Sequence, residues 1–367
     1  MKKKFLVLII IILSILAAVL IFSQTTSTIK KELRDFSLAD TASVTKIFLA
    51  DMEGNFVLLE RDLGSGWTVN KEYKAQTTVV QDLLATMMYT SVRAPVPIPA
   101  RDGVIKYMSS LGVKVEVYQI KPLFEIGRYK FFEKEKLTKV FYVGDNTQDK
   151  LGTYMLMENS ALPFICYIPG FTGFLHTRYS TDVYDWRDQT IFNYYMNDIE
   201  SVTLEYPHTP QNSFRIENID NRNFRVFSFE KNDYINDLDT VKAINYLTGF
   251  YNVRFEQFAA KTSSEFRDSV TASLPYQIMT VKLRNGEENQ ISTFLKKTEY
   301  SKEDLEIIFH DTHESDWDRE RLYALVNNEQ DFVFIQYFVF GRILKNIDFF
   351  RKDYQLPLRS GLEVYEF

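Results

Sequence analysis

The chain contains two stretches of related sequence, and this internal repeat is the feature that most restricts its fold. Residues 43–70, SVTKIFLADMEGNFVLLERDLGSGWTVN, resemble residues 201–227, SVTLEYPHTPQNSFRIENIDNRNFRVF. Both stretches alternate apolar and polar residues between turn-forming segments, a pattern typical of short β-strands. The matches are Ser43-Val44-Thr45 with Ser201-Val202-Thr203, Phe56 with Phe214, Trp67 with Phe224 and Val69 with Val226.

Each copy then changes to the spacing of an amphipathic helix. Val80, Leu83, Leu84 and Met87 recur at the intervals of one helical face. In the second copy the helix follows a cap at Asp239 or Thr240. Its predicted apolar face consists of Val241, Ile244, Leu247 and Tyr251. Both helices lead into a Val-Arg pair, Val92-Arg93 and Val253-Arg254.

A strand-rich half follows the helix in both copies. Residues 153–175 resemble residues 321–344, with Tyr154, Asn159 and Phe171 matching Tyr323, Asn328 and Phe340. Both read as strand, turn, strand and a short helical or turning segment. Chance similarity of two β-rich stretches is the alternative, but the conserved order of elements favours duplication. The sequence therefore predicts an α+β, strand-rich tandem duplication, with copies at 39–195 and 196–367.

The N-terminus predicts a membrane anchor. Lys2, Lys3 and Lys4 precede residues 5–22, which carry no charge and are long enough for a helix to cross a bilayer. A cleaved signal peptide and a buried core helix are the alternatives, but signal peptides have shorter apolar regions and a small-residue cleavage site. We expect an uncleaved anchor over 1–22 and a polar tether over 23–38. The protein would be a single-pass protein of the inner (cytoplasmic) membrane, with the bulk of the chain in the periplasm or otherwise outside the cytoplasm.

Charge and cysteine content restrict the partners. The net charge of −6 argues against a broad nucleic-acid-binding surface. Cys166 is the only cysteine, so an intramolecular disulfide is excluded, and its apolar neighbours predict a buried thiol.

The stretch HDTHESDWD, residues 310–318, is the strongest candidate for a metal site. His310 and His313 are spaced so that both imidazoles can meet one ion on a helix, and a carboxylate such as Asp316 or Asp318 could complete the shell. However, the stretch ends an insertion of about 18 residues that replaces the short GDNTQDKLG loop of the first copy. Inserted hairpin loops are exposed and cost little stability. We therefore favour a solvated acidic loop and predict no metal, with His310, His313 and Asp316 as the residues to test.

No other pattern predicts catalysis or a cofactor. The chain has no phosphate-binding glycine loop and no nucleophile turn. The acidic run at 232–239 lacks the order of a calcium loop and is interpreted as a turn before a capped helix. His176 and His208 stand alone in loop-like sequence. We expect a protein that is not an enzyme and holds no cofactor.

One stretch is apolar on both faces if it is a strand. In FVFIQYFVF, residues 332–340, Phe332, Phe334, Phe338 and Phe340 would share one face. Such a strand is usually covered on both sides, and the alternative is a partner-binding surface.

The segments DTASVTKIFLAD, GNFVLLER, GSGWTVN, PFICYIPGFTGFL and YDWRDQTIFN resemble a bacterial envelope family catalogued as domain of unknown function 4340. The resemblance covers about residues 40–195 and includes Arg187-Asp188, which FFRKD at 349–353 matches loosely. A chain with an anchor followed by two divergent copies of this domain looks most like those from the Bacteroidota. The resemblance implies exported or membrane-anchored proteins, some beside transport or gliding-type components, and brings no catalytic residues.

These observations predict a membrane-anchored, non-enzymatic accessory or binding module of an envelope complex. Its partners would be the membrane, through the N-terminal helix, and other envelope proteins, with no nucleic acid. The alternative function is an exported metal-dependent hydrolase that uses His310 and His313. A soluble-ligand receptor is a third hypothesis.

Overall fold

A computed structural model of the protein describes residues 34–62, 64, 66–126, 129–299 and 316–354. The predicted anchor, His310 and His313 lie outside these residues. The chain divides into two compact units between Asp188 and Gln189. Within the described part of the chain, no helix has both the length and the apolar character needed to cross a bilayer.

Unit 1 is built on a nine-stranded antiparallel sheet with the order β4-β3-β2-β1-β6-β9-β10-β11-β5. Helix α1 follows β4, helix α2 follows β5, and a separate hairpin consists of β7 and β8. The elements are β1 Val44–Ala50, β2 Phe56–Asp62, β3 Gly66–Val69, β4 Tyr73–Lys74, α1 Thr77–Tyr89, β5 Ser91–Pro95, α2 Ile98–Leu111, β6 Val113–Lys121, β7 Phe124–Ile126, β8 Tyr129–Phe131, β9 Lys134–Asn146, β10 Thr153–Met157 and β11 Phe164–Tyr167.

Unit 2 has a second nine-stranded antiparallel sheet, with the order β16-β15-β14-β13-β19-β20-β21-β22-β18. Strands β12 and β17 pair separately. The elements are β12 Thr190–Phe192, β13 Ile199–Glu205, β14 Phe214–Asn218, β15 Phe224–Ser228, β16 Asp233–Tyr234, α3 Thr240–Thr248, β17 Val253–Arg254, β18 Gln257–Phe258, α4 Ser264–Thr271, β19 Gln277–Leu283, β20 Glu288–Lys297, β21 Trp317–Val326, β22 Asp331–Gln336 and α5 Tyr337–Phe340.

The chain is therefore strand-rich, with two large antiparallel sheets and few helices. Both sheets run through their strands in the same order, and the main helix follows the fourth strand of each nine-stranded sheet. Equivalent positions can be read from the strand pairing. Val69 lies opposite Leu59, and Val226 lies opposite Ile216. The sequence matches of Trp67 with Phe224 and of Val69 with Val226 agree with this register.

The match of the two Ser-Val-Thr triplets does not agree with the register. A bulge follows Val44 in β1 and Ile199 in β13, and Ile47 and Val202 take the next buried positions in these strands. Val44 is thus equivalent to Ile199 and not to Val202. Phe56 is likewise exposed, whereas Phe214 is buried. The alignment of the triplets is wrong by three residues, and the alignment of Phe56 with Phe214 is wrong by one residue. Both errors arise because similar residue types recur at neighbouring positions.

The main helices cover one face of each sheet. In α1 the predicted side chains Val80, Leu83, Leu84 and Met87 are all buried. Helix α3 is capped by Asp239, whose carboxylate accepts hydrogen bonds from the backbone N–H groups of Val241 and Lys242. Its predicted face is partly wrong, since Val241 and Tyr251 are exposed. The buried side chains there are Ala243, Tyr246, Leu247 and Phe250.

The stretch 332–340 is a strand only as far as Gln336 and then turns into the short helix α5. The prediction of four phenylalanines on one strand face is wrong, because a helical turn changes the direction of each successive side chain. Phe340 is fully buried, whereas Phe338 is 94% exposed. Within β22 the burial on both faces is confirmed. Val333 belongs to the main core, and Phe332 packs in a smaller cluster with Tyr323.

Each unit begins before the strand that opens its sheet. The sequence predicts that Phe36 and Leu38 lie at the end of the polar tether, but both side chains are buried in the core of unit 1. The backbone N–H of Leu38 donates to Met87 O at 2.9 Å. In unit 2 the N–H of Tyr194 donates to Phe250 O at 3.1 Å, at the end of the main helix. The leading segments of the two units therefore make equivalent backbone hydrogen bonds near the end of the main helix.

The buried face of α3 predicts unequal effects of two alanine substitutions. Leu247→Ala removes a fully buried side chain and should lower the free energy of unfolding by about 2–5 kcal/mol. Val241→Ala changes an exposed side chain on the same helix and should change it by less than about 0.5 kcal/mol. Urea denaturation followed by far-UV circular dichroism measures both. Equal effects would contradict this orientation of α3.

Candidate functional site

Residues 316–318 are the described end of the candidate metal stretch. Asp316 precedes β21 and its carbonyl oxygen accepts a hydrogen bond from the N–H of Thr298 at 3.0 Å, while Trp317 and Asp318 begin β21. In unit 1 residues 147–152 connect β9 to β10, and in unit 2 the chain between β20 and β21 makes the corresponding connection. This confirms where the sequence placed the insertion. His310 and His313 lie outside the described residues, so their geometry is not described. Among the described residues no group of three His, Cys, Asp or Glu side chains is arranged to hold a metal ion.

Asp318 forms a buried ion pair. The Nζ atom of Lys296 donates to Asp318 Oδ2 at 3.0 Å and to Glu299 Oε1 at 2.8 Å. The side chains of Lys296 and Asp318 are only 6% and 3% exposed. Burial alone lowers the pKa of Lys296, but its hydrogen bonds to Glu299 and Asp318 raise the pKa overall. Asp318 also accepts hydrogen bonds from the backbone N–H groups of Glu320 and Arg321. Through these contacts Asp318 joins β21 to β20 at the end of their hairpin.

A second ion pair lies beside the first. Arg321 binds Glu256 in a bidentate manner, with Nε to Oε2 at 2.7 Å and Nη2 to Oε1 at 2.9 Å. The hydrogen bonds to Glu256 hold the pKa of Arg321 above its usual range. Glu256 directly precedes β18, and Arg321 lies in β21. The pair therefore ties the β18 edge of the sheet to the hairpin that carries the insertion.

Cys166 is buried, as the sequence predicts, and its side chain belongs to the core of unit 1. Burial raises the pKa of the thiol far above its usual range. Since the thiolate is the reactive form of cysteine, Cys166 is unsuited to nucleophilic catalysis.

The two isolated histidines occupy different surroundings. His176 Nδ1 lies 3.2 Å from Asn146 Oδ1 and 3.9 Å from an oxygen of Asp145. The hydroxyl of Tyr107 reaches the same carboxylate at 3.4 Å. His208 Nε2 lies 3.3 Å from Leu274 O. His176 is therefore part of a polar cluster at one end of β9, which the sequence did not reveal because its members come from three separate segments.

Each unit has a cleft beside the edge strand that closes its sheet. In unit 1 the first cleft has a volume of about 470 Å³ and is lined by residues 34–37, residues 90–95 and Phe164. In unit 2 the second cleft has a volume of about 290 Å³ and is lined by Asn252, Arg254, Phe255, Glu256, Gln336 and Val339. Strands β5 and β18 hold the same last place in their sheets. The two clefts thus lie in corresponding parts of the two units.

The first cleft combines an apolar base with charged walls. Phe36 is buried at its base and makes edge contacts with Phe164 and Phe141, with ring centroids 6.1 and 6.0 Å apart. Arg34 and Arg93 line its walls. Arg93 lies 3.5 Å from a carboxylate oxygen of Asp149. This arrangement can bind a partner through apolar contacts and hydrogen bonds.

The sequence contained one sign of these clefts. The Val-Arg pairs that follow the helices place Val92, Arg93 and Arg254 in cleft walls. The strand order nevertheless places Val92 opposite Cys166 in β11, while Val253 belongs to the separate strand β17. The two Val-Arg pairs therefore occupy neighbouring positions in the two units and not equivalent ones.

The Lys296–Asp318 pair predicts a large difference between buried and exposed ion pairs. Lys296→Ala leaves the buried carboxylate of Asp318 without its cation and should lower the free energy of unfolding by about 3 kcal/mol. Lys282→Ala removes the exposed pair with Glu200 and should lower the free energy of unfolding much less. Urea denaturation of both variants measures the difference, and a small effect of Lys296→Ala would contradict a structural role for the pair.

Comparisons with known protein families, with curated proteins and with solved structures find no match for this chain.

Proposed function

We propose that the protein is a membrane-anchored binding module that acts outside the cytoplasm and has no catalytic activity of its own. The observation that carries the binding role is the cleft beside the last strand of each sheet. A concave surface with apolar and polar groups is the usual form of a binding site. An edge strand also offers backbone groups to an extended partner. The presence of a cleft at corresponding places in both units supports this proposal.

The two units are proposed to be divergent copies of one domain. Support comes from the shared order of nine strands, the shared position of the main helix and the common hydrogen bonds of the leading segments. The resemblance to domain of unknown function 4340 supports the same interpretation. It also suggests an accessory role beside a transport or gliding-type complex of the bacterial envelope.

The proposed location rests on the N-terminal sequence. Residues 5–22 carry no charge, and three lysines precede them. Basic residues beside a membrane segment favour the cytoplasmic side, so the two units are expected in the periplasm.

Charges placed within the anchor should release the protein from membranes. Ile11→Lys with Ser14→Arg puts two charges at the centre of the segment, each costing about 2.5–3.5 kcal/mol for insertion. The matched control, Ser27→Lys with Thr28→Arg, places the same charges in the tether and should leave the protein membrane-bound. Alkaline extraction of cell membranes followed by immunoblotting measures both. Retention of the first variant in the membrane would contradict the anchor.

Photo-crosslinking tests the first cleft as a binding surface. A photoreactive residue in place of Arg93, in cells that naturally produce the protein, should give discrete crosslinks to another envelope protein. The same residue in place of Arg222, in the turn between β14 and β15, is the control and should give none. Identical crosslinking patterns at the two positions would contradict specific binding at the cleft.

The metal-dependent hydrolase is the second candidate, favoured by two histidines and four carboxylates within residues 310–318. Elemental analysis of the purified protein separates the two functions. We expect no stoichiometric zinc in the wild-type protein. Bound zinc that disappears in the His310→Ala/His313→Ala variant, but not in a His208→Ala control, would favour the hydrolase.

A further inference from the structure

The tether enters unit 1 at the first cleft. Arg34 is the first described residue, and it lines this cleft together with residues of β5. Eleven residues, 23–33, separate the proposed anchor from Arg34. A chain of this length spans at most about 40 Å when fully extended. The proposed anchor therefore keeps Arg34, and the first cleft that it lines, within about 40 Å of the bilayer.

Large apolar side chains are exposed next to the cleft-lining segment 90–95 in the chain. Tyr89 and Met88 immediately precede the cleft-lining segment 90–95, and their exposed fractions are 57% and 41%. Ile98 follows three residues after it and is 77% exposed. Ile98 begins α2, a helix of 14 residues in which Met108 is the only buried side chain. Exposed apolar side chains therefore flank the cleft-lining segment on both sides in the chain.

The charges around these side chains suit an anionic lipid surface. Arg34 and Arg93 line the same cleft, and Arg34 is exposed. Asp149 offsets part of the charge of Arg93, and Asp35 lies next to Arg34 but pairs with Lys139 at 3.1 Å. Tyrosine prefers the boundary between headgroups and hydrocarbon, and arginine is attracted to lipid phosphates. The combination is typical of a surface that rests at the membrane interface.

We propose that the tether-side surface, made of Met88, Tyr89, Ile98, Arg34 and Arg93, rests against the lipid headgroups of the membrane that holds the anchor. This inference depends on the proposed anchor. The tether favours the bilayer as the partner because it keeps this surface at a high effective concentration of lipid. Unit 1 would then present its β5 edge to the membrane and its opposite edge, at β4, to the periplasm.

Depth-dependent fluorescence quenching tests the inference on the full chain. The protein is reconstituted into vesicles of phosphatidylethanolamine and phosphatidylglycerol that contain a nitroxide-labelled lipid. Single cysteines for a fluorophore are introduced by Tyr89→Cys, Ile98→Cys and, as a control, Phe56→Cys. Phe56 is 50% exposed in β2, which is six strands from β5 and therefore roughly 29 Å away. Cys166 is buried, so the wild-type protein should not be labelled and serves as the blank.

The quenching should be several-fold stronger at positions 89 and 98 than at position 56. Equal quenching at the three positions, or stronger quenching at position 56, would overturn the inference while leaving the anchor intact. Flotation of the vesicles checks the anchor separately, and a chain that does not float with them would overturn both proposals.

A charge substitution tests whether the contact depends on apolar insertion. Ile98→Asp should remove most of the quenching of the fluorophore at position 89. Phe56→Asp introduces the same charge at a comparably exposed site and should leave that quenching unchanged. Unchanged quenching in the Ile98→Asp protein would show that α2 does not enter the interface.

Discussion

In each unit, two backbone hydrogen bonds join the last segment to the start of the main helix, and the position of that helix over the sheet depends on them. In unit 1 the N–H of Gln76 donates to Trp186 O at 2.7 Å, and the N–H of Asp188 donates to Lys74 O at 2.8 Å. In unit 2 Asp239 and Lys352 donate in the same way to Phe350 O and Asp237 O, at 2.8 and 3.0 Å. These contacts fix the last segment of the unit beside the start of its main helix. They place Trp186 and Phe350 in the cores beneath the helices, where both are buried.

The sequence predicted the parts of this fold that depend on local alternation. The strands and the buried face of α1 follow directly from the spacing of apolar residues, and Trp67 and Phe224 matched because both pack on the buried face. The Ser-Val-Thr triplets misled the alignment because register is set by the bulge after Val44 and Ile199. FFRKD and the Trp-Arg-Asp stretch make corresponding backbone hydrogen bonds in the two units, although their side chains differ.

The candidate sites were less accessible to sequence reasoning because their parts are distant in the chain. Lys296 and Asp318 belong to opposite strands of one hairpin, with the insertion between them. Nothing in the local pattern around Asp318 distinguishes a buried partner of lysine from a metal ligand, and the lysine partner is visible only in the structure. The first cleft likewise joins residues 34–37 to residues 90–95, two segments that meet only once the sheet and helix α1 are in place.

The two clefts differ because the chain enters the two units differently. In unit 2 the leading segment forms β12 and pairs with β17 next to the second cleft. In unit 1 none of the described residues 34–38 is in a strand, and the first cleft is larger. The two units share one topology, but the second cleft is bordered by the added strand β12 with β17, and the first cleft is bordered by residues 34–37 of the tether. If the tether side of unit 1 rests on the bilayer, the first cleft opens next to the membrane, and a partner there would be embedded in the membrane or lie close to its surface.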